Sequence, residues 1–120
     1  MTTKYGGHRR TLTYKVSSES ALSNTVIPDH TGSASTLYTA TIVAGGADVY
    51  VKFYDAIAVT LGTTVPLLGI YAKSSLTTTV QIPEGIAFAT GISIVSTSGD
   101  ADGATTASPG ATCAVTLVTT

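Results

Sequence analysis

Apolar and polar side chains alternate most regularly over Asp48–Asp55, where Val49, Val51 and Phe53 interleave with Tyr50, Lys52 and Tyr54. Successive side chains of a strand point to opposite faces, so a period of two predicts a strand with one buried face. Valine, phenylalanine and tyrosine also suit a pleated, half-buried surface. The segment predicts the central strand of a small all-β domain.

The same period recurs on both sides of it. Leu12, Tyr14 and Val16 alternate with Thr11, Thr13 and Lys15, which predicts a first strand, and Ala21–Ile27 predicts a short second one before the turn residues of Pro28–Gly32. Ser35–Val43 is rich in threonine and β-branched residues and predicts a strand. The pair Gly45-Gly46 follows at once. Two glycines between alternating runs signal a hairpin, because glycine tolerates the positive φ of tight turns. Ser35–Val43 and the central strand are therefore expected to pair antiparallel. Ala56–Val65 is expected to be a loop. Pro66, which lacks a donor, opens a short strand marked by Leu68 and Ile70. Leu76–Ile82 predicts a threonine-rich strand closed by a turn at Pro83–Gly85, with a separate apolar piece at Ile86–Phe88. Ile92 and Ile94 face away from Ser93 and Val95 in the next strand. A long loop over Ser98–Gly110 precedes the last strand, Thr112–Val118.

No segment sustains a period of 3.6. Seven or eight short strands with regular turn signals predict a single-domain β-sandwich of jelly-roll or immunoglobulin-like topology. Four of the six basic residues, Lys4, Arg9, Arg10 and Lys15, fall in the first 15 positions beside Gly6, Gly7 and His8. Residues 1–10 read as a mobile basic arm, and 11–120 as the sandwich domain. The arm is either a solvated tail or a segment that orders against an acidic patch on a partner or neighbouring copy.

Composition changes the picture in one respect. Charged residues make up 11% of the 120-residue chain, against roughly 25% in an ordinary soluble domain. A free monomer usually keeps itself soluble with interspersed charges. A surface this poor in charge favours a subunit of an assembly over a free enzyme. The net charge of −1 gives no general attraction to phosphate or anionic lipid, and no basic run carries interleaved aromatics, so a nucleic-acid partner is not expected. The N-terminus has no apolar segment of the secretory kind, and no apolar run approaches about 18 residues, so no membrane partner is expected.

Candidate chemistry is sparse. Cys113 alternates with Val115 and Leu117 and reads as a buried, inert thiol. His30 sits beside Asp29 in a turn, but a catalytic triad needs a nucleophile, a base and an orienting group converging from separate positions. The seven carboxylates cluster at turns and strand ends, where capping is their expected role. Asp100, Asp102 and Gly103 have the beginning of a calcium loop without its third ligand or its downstream glutamate. No catalytic residue, metal site or cofactor is expected. Tyr50, Lys52 and Tyr54 share the non-core face of the central strand. Tyrosine combines large contact area with a polar tip. The face is either a subunit contact or a second layer of the same core.

The segments Val49–Asp55 (VYVKFYD), Leu61–Leu67 (LGTTVPL) and Ile82–Ile94 (IPEGIAFATGISI), followed by a Thr/Ala/Gly/Asp-rich loop, resemble small virion proteins of tailed bacteriophages. The resemblance covers about Val49–Thr106, and none of its motifs is catalytic. It implies a β-sandwich made in the host cytoplasm and carried on the capsid surface as a decoration or cement protein. Its partners would be the major capsid protein or other virion subunits and further copies of itself, with a trimer at a local three-fold axis as one arrangement. Lys4, Arg9, Arg10, Tyr50, Lys52 and Tyr54 would carry the contacts. The alternative within the same resemblance is a neck, tail or fibre component with a host- or glycan-binding loop at Ser98–Gly110.

Overall fold

A computed structural model describes residues 14–23, 25–27, 34–60, 63–98 and 112–120. Among them are seven strands: β1 (Lys15–Leu22), β2 (Ser35–Ala44), β3 (Val49–Asp55), β4 (Leu68–Ala72), β5 (Thr77–Phe88), β6 (Ile92–Thr97) and β7 (Cys113–Thr119). They form two antiparallel sheets of order β1-β7-β2-β5 and β4-β3-β6. The protein is an all-β sandwich.

The pairings are nested. β1 pairs with β7, β2 with β5 and β3 with β4, and Ile27 forms an isolated bridge with Ile94 of β6. The early part of the chain therefore runs antiparallel to the late part, like a long hairpin rolled over itself. That nesting is the jelly roll, one of the two topologies the turn spacing allowed. The segment expected as a strand at Ala21–Ile27 contributes only the end of β1 and the Ile27 bridge.

The expected hairpin at Gly45-Gly46 does not form. β2 and β3 lie in different sheets, and neither glycine adopts a positive φ. The chain crosses between the sheets here. The end of β2 bonds instead to the start of β5, with Ala44 N–H donating to Leu76 O at 3.1 Å and Ser75 N–H to Gly45 O at 2.8 Å. β3 is nevertheless the central strand of its sheet.

The expected turn at Pro83–Gly85 is a bulge inside one long strand. Leu37 pairs with Ile86 and Thr39 with Gln81, so Tyr38 alone faces residues 82–85. Pro83 is accommodated because β5 is an edge strand, where a missing donor breaks no ladder bond. Gly85 has φ +76°, and a Cβ there would lie 2.9 Å from Tyr38 Cε1 and overlap the Thr36 methyl. The bulge therefore needs glycine at this position.

Between the sheets lie Leu37, Ala40 and Ile42 from β2, Val49, Val51 and Phe53 from β3, and Ile92 and Ile94 from β6, closed by Cys113, Val115 and Leu117 of β7. Period two places each of these on the inward face of its strand. β6 departs from the half-buried pattern, since all six of its residues are buried.

Candidate functional site

The register places Tyr50, Lys52 and Tyr54 on the face of β3 turned away from the inter-sheet core, but that face is only partly open. Tyr54 is 0% exposed and Lys52 1%, whereas Tyr50 is half-buried. Lys52 and Tyr54 are covered within the chain itself, and of the three Tyr50 alone keeps substantial exposed surface on this strand. Alternation separates the two faces of a strand without saying which of them meets water. The neighbouring β6 shows the same layering, because Val95, opposite Lys52, and Ser93, opposite Tyr54, are also fully buried. Lys4, Arg9 and Arg10 lie outside the described residues, as do His8, Asp29, His30, Asp100, Asp102 and nearly all of the Ser98–Gly110 loop.

The same face opens at its β4 edge into a groove of about 440 Å³ lined by Tyr50, Lys52, Gly69, Tyr71 and the Pro66–Leu68 segment. It exists because Gly69 lies opposite Lys52 and carries no side chain. A Cβ built there would meet nothing within 4 Å. Tyr71 pairs with Tyr50 across the strands, their ring centroids 5.1 Å apart and their planes tilted by 45°. The Tyr71 hydroxyl donates to Asp48 Oδ2 at 3.1 Å, while Ser74 N–H donates to Asp48 Oδ1 at 2.8 Å. The Ser74 amide, then the Tyr71 hydroxyl, hold the Asp48 carboxyl below the usual carboxylate range. Partial burial and the Asp48 carboxylate raise the Tyr71 phenol.

Asp55, at the other end of β3, accepts from Thr90 N–H at 2.8 Å and Ala89 N–H at 3.2 Å, which lowers its pKa as well. Each carboxylate ties down a place where the chain changes sheets, Asp48 between β4 and β5 and Asp55 between β5 and β6. Both have the capping role read from their positions at strand ends.

The outer face of the four-stranded sheet differs in chemistry. One row crosses all four strands as Ser18, Thr116, Thr41 and Thr79. The hydroxyls of Ser18 and Thr116 lie 3.5 Å apart, as do those of Thr41 and Thr79. The next row is Val16, Val118, Thr39 and Gln81, and a third holds Ala114, Val43 and Thr77. None of the three contains a charge, and Val16 and Val43 are 68% and 47% exposed. At one end the bulge opens a hollow of about 420 Å³ lined by Tyr14, Tyr38, Ile82, Pro83 and Val118, with Tyr14 and Tyr38 packed edge to face at 5.6 Å. Sequence reading missed Tyr14, Tyr38, Gly69 and Tyr71 as site residues. Alternating threonines at 77 and 79 were visible, but their alignment with 41 and 116 depends on register.

Among the described residues no three His, Cys, Asp or Glu side chains come together. Cys113 is 2% exposed, and burial raises its thiol pKa against a smaller lowering by the Ser96 hydroxyl. No protein-family model, curated protein or solved structure matches the chain.

Proposed function

We propose that this protein is a structural component of a virion, a decoration or cement protein that docks on the assembled capsid through the outer face of its four-stranded sheet. The observation that carries the reading is the absence of charge from three successive rows of that face. A sheet face left in water ordinarily bears lysine and glutamate, which keep it soluble and prevent unwanted association. Hydroxyls and small apolar groups lose little on leaving water when a partner supplies hydrogen bonds, whereas unpaired charges lose much.

Area sets the mode of binding. Four strands at about 4.8 Å spacing and three rows at about 6.7 Å cover roughly 400 Å². A stable interface buries about 800 Å² on each partner. The face alone is half of that, so firm docking needs a second contact from the same chain. The basic arm with Lys4, Arg9 and Arg10 is the available one, and two linked contacts bind far more tightly than either alone. A sandwich that spans neighbouring shell subunits binds only the assembled lattice and stabilises it by mass action. The resemblance to phage virion proteins and the jelly-roll topology support this reading, although a fold alone assigns no function.

The test is occupancy on purified shells. Deleting residues 1–10 is expected to weaken docking and leave the melting temperature of the free protein unchanged. Undiminished occupancy after that deletion removes the arm from the mechanism.

A further inference from the structure

The groove at the β4 edge is separate from the docking face, since it lies on the outer side of the other sheet. We infer that it is a binding site for one ring of a neutral saccharide. Along β4 and the residue just before it, the groove is lined in turn by Leu67, Gly69 and Tyr71. At about 3.3 Å per residue the Cα atoms of Leu67 and Tyr71 stand about 13 Å apart. The missing side chain between them leaves room for a single six-membered ring. The volume of about 440 Å³ falls in the range of about 300–1,000 Å³ typical of small-molecule sites.

The lining matches the two-sided chemistry of a sugar. A pyranose has an apolar C–H face and a rim of hydroxyls. The electron-rich face of an aromatic ring attracts polarised C–H groups, and Tyr71, 44% exposed, forms an aromatic wall beside Tyr50. Its hydroxyl is tied to Asp48, so the ring is held in place before a ligand arrives and less freedom is lost on binding. The Asp48 carboxylate stands next to that wall as a hydrogen-bond acceptor, and Lys52 in the lining with Lys73 beside Asp48 offsets its negative charge, so the groove favours a neutral ring. A proline-rich peptide would need a longer aromatic groove for successive residues. Among the described residues the gap in side chains is one residue long, at Gly69.

The test titrates the methyl glycosides of glucose, galactose and mannose into the isotope-labelled full chain, followed by amide chemical shifts. A triproline peptide serves as the competing ligand class. At least one glycoside is expected to give saturable shifts centred on Tyr50, Gly69, Tyr71 and Ser74, with half-saturation in the millimolar range. Gly69→Val puts a branched side chain into the notch, where a Cβ meets nothing within 4 Å. A β-branched residue also suits a strand, so the fold is kept. This variant is expected to abolish the shifts while preserving the rest of the spectrum, and Tyr71→Ala to weaken binding about tenfold or more. No saturable shift from any of the three glycosides overturns the proposal. So do shifts centred elsewhere, shifts that persist in Gly69→Val, or a response to triproline alone.

Discussion

Ile27 and Ile94 exchange both of their backbone hydrogen bonds, the Ile27 amide donating to Ile94 O at 2.9 Å and the Ile94 amide to Ile27 O at 3.1 Å. Close by, Ser96 N–H donates to Ser23 O at 2.9 Å. This short crossing occupies the outer edge of β6, which an eighth strand would otherwise fill, and it protects that edge from pairing with other chains. Ile27→Pro removes one donor and leaves the buried Ile94 carbonyl without it. The expected loss is about 1–3 kcal/mol in denaturant unfolding. Ile27→Ala keeps both bonds and loses only side-chain packing. A proline variant as stable as the alanine variant would show that the bridge contributes nothing.

Gly85→Ala probes the bulge in β5. Its φ of +76° disfavours any L side chain, and the new methyl collides with Thr36 and Tyr38. The two effects together are expected to destabilise the protein by about 2 kcal/mol or more. Gly46→Ala is the control, since a Cβ at that position meets nothing within 4 Å and its φ is not positive. Equal melting temperatures for the two variants would contradict the assignment of strain to Gly85.

Acid stability follows from the two capping carboxylates. Asp48 and Asp55 both have a folded pKa below the usual value, so on acidification the unfolded chain takes up protons first. Their stabilisation is complete above the unfolded pKa of about 4 and is lost as pH falls through the folded values. Combining Asp48→Asn with Asp55→Asn is expected to flatten the decline in stability below about pH 4. A parent and double variant with the same slope there would remove these caps from the acid response.

The docking face is open to a direct substitution. Thr41 and Thr116 are adjacent in the hydroxyl row and only partly buried. Replacing both with lysine sets like charges directly opposite each other and is expected to lower the unfolding free energy by about 1 kcal/mol, leaving the protein folded. Occupancy on purified shells is expected to fall by at least tenfold. Full occupancy of the double lysine variant would move the contact to another face.

The strands were legible where one face is apolar, as in Val49, Val51 and Phe53 or Cys113, Val115 and Leu117. Pairing was less so. Gly45 and Gly46 mark a change of chain direction, but a hairpin and a crossing between sheets carry the same local signal. Pro83 and Gly85 likewise punctuate a turn and a bulge alike. Alternation left the face of Lys52 and Tyr54 open to two readings, a subunit contact or a second layer, because it does not say which face of a strand meets water, and both side chains are buried. The notch at Gly69 has meaning only once Lys52 is known to lie opposite and Tyr71 beside it. The uncharged rows in turn depend on the alignment of four strands distant in sequence.

Quantitative mass spectrometry of purified virus particles, calibrated against the major shell protein, tests the decoration reading most directly. A copy number comparable with that of the shell protein is the predicted result, because a cement subunit repeats with the lattice it bridges. A number matching a single neck or tail ring, or absence from the particle, would contradict it.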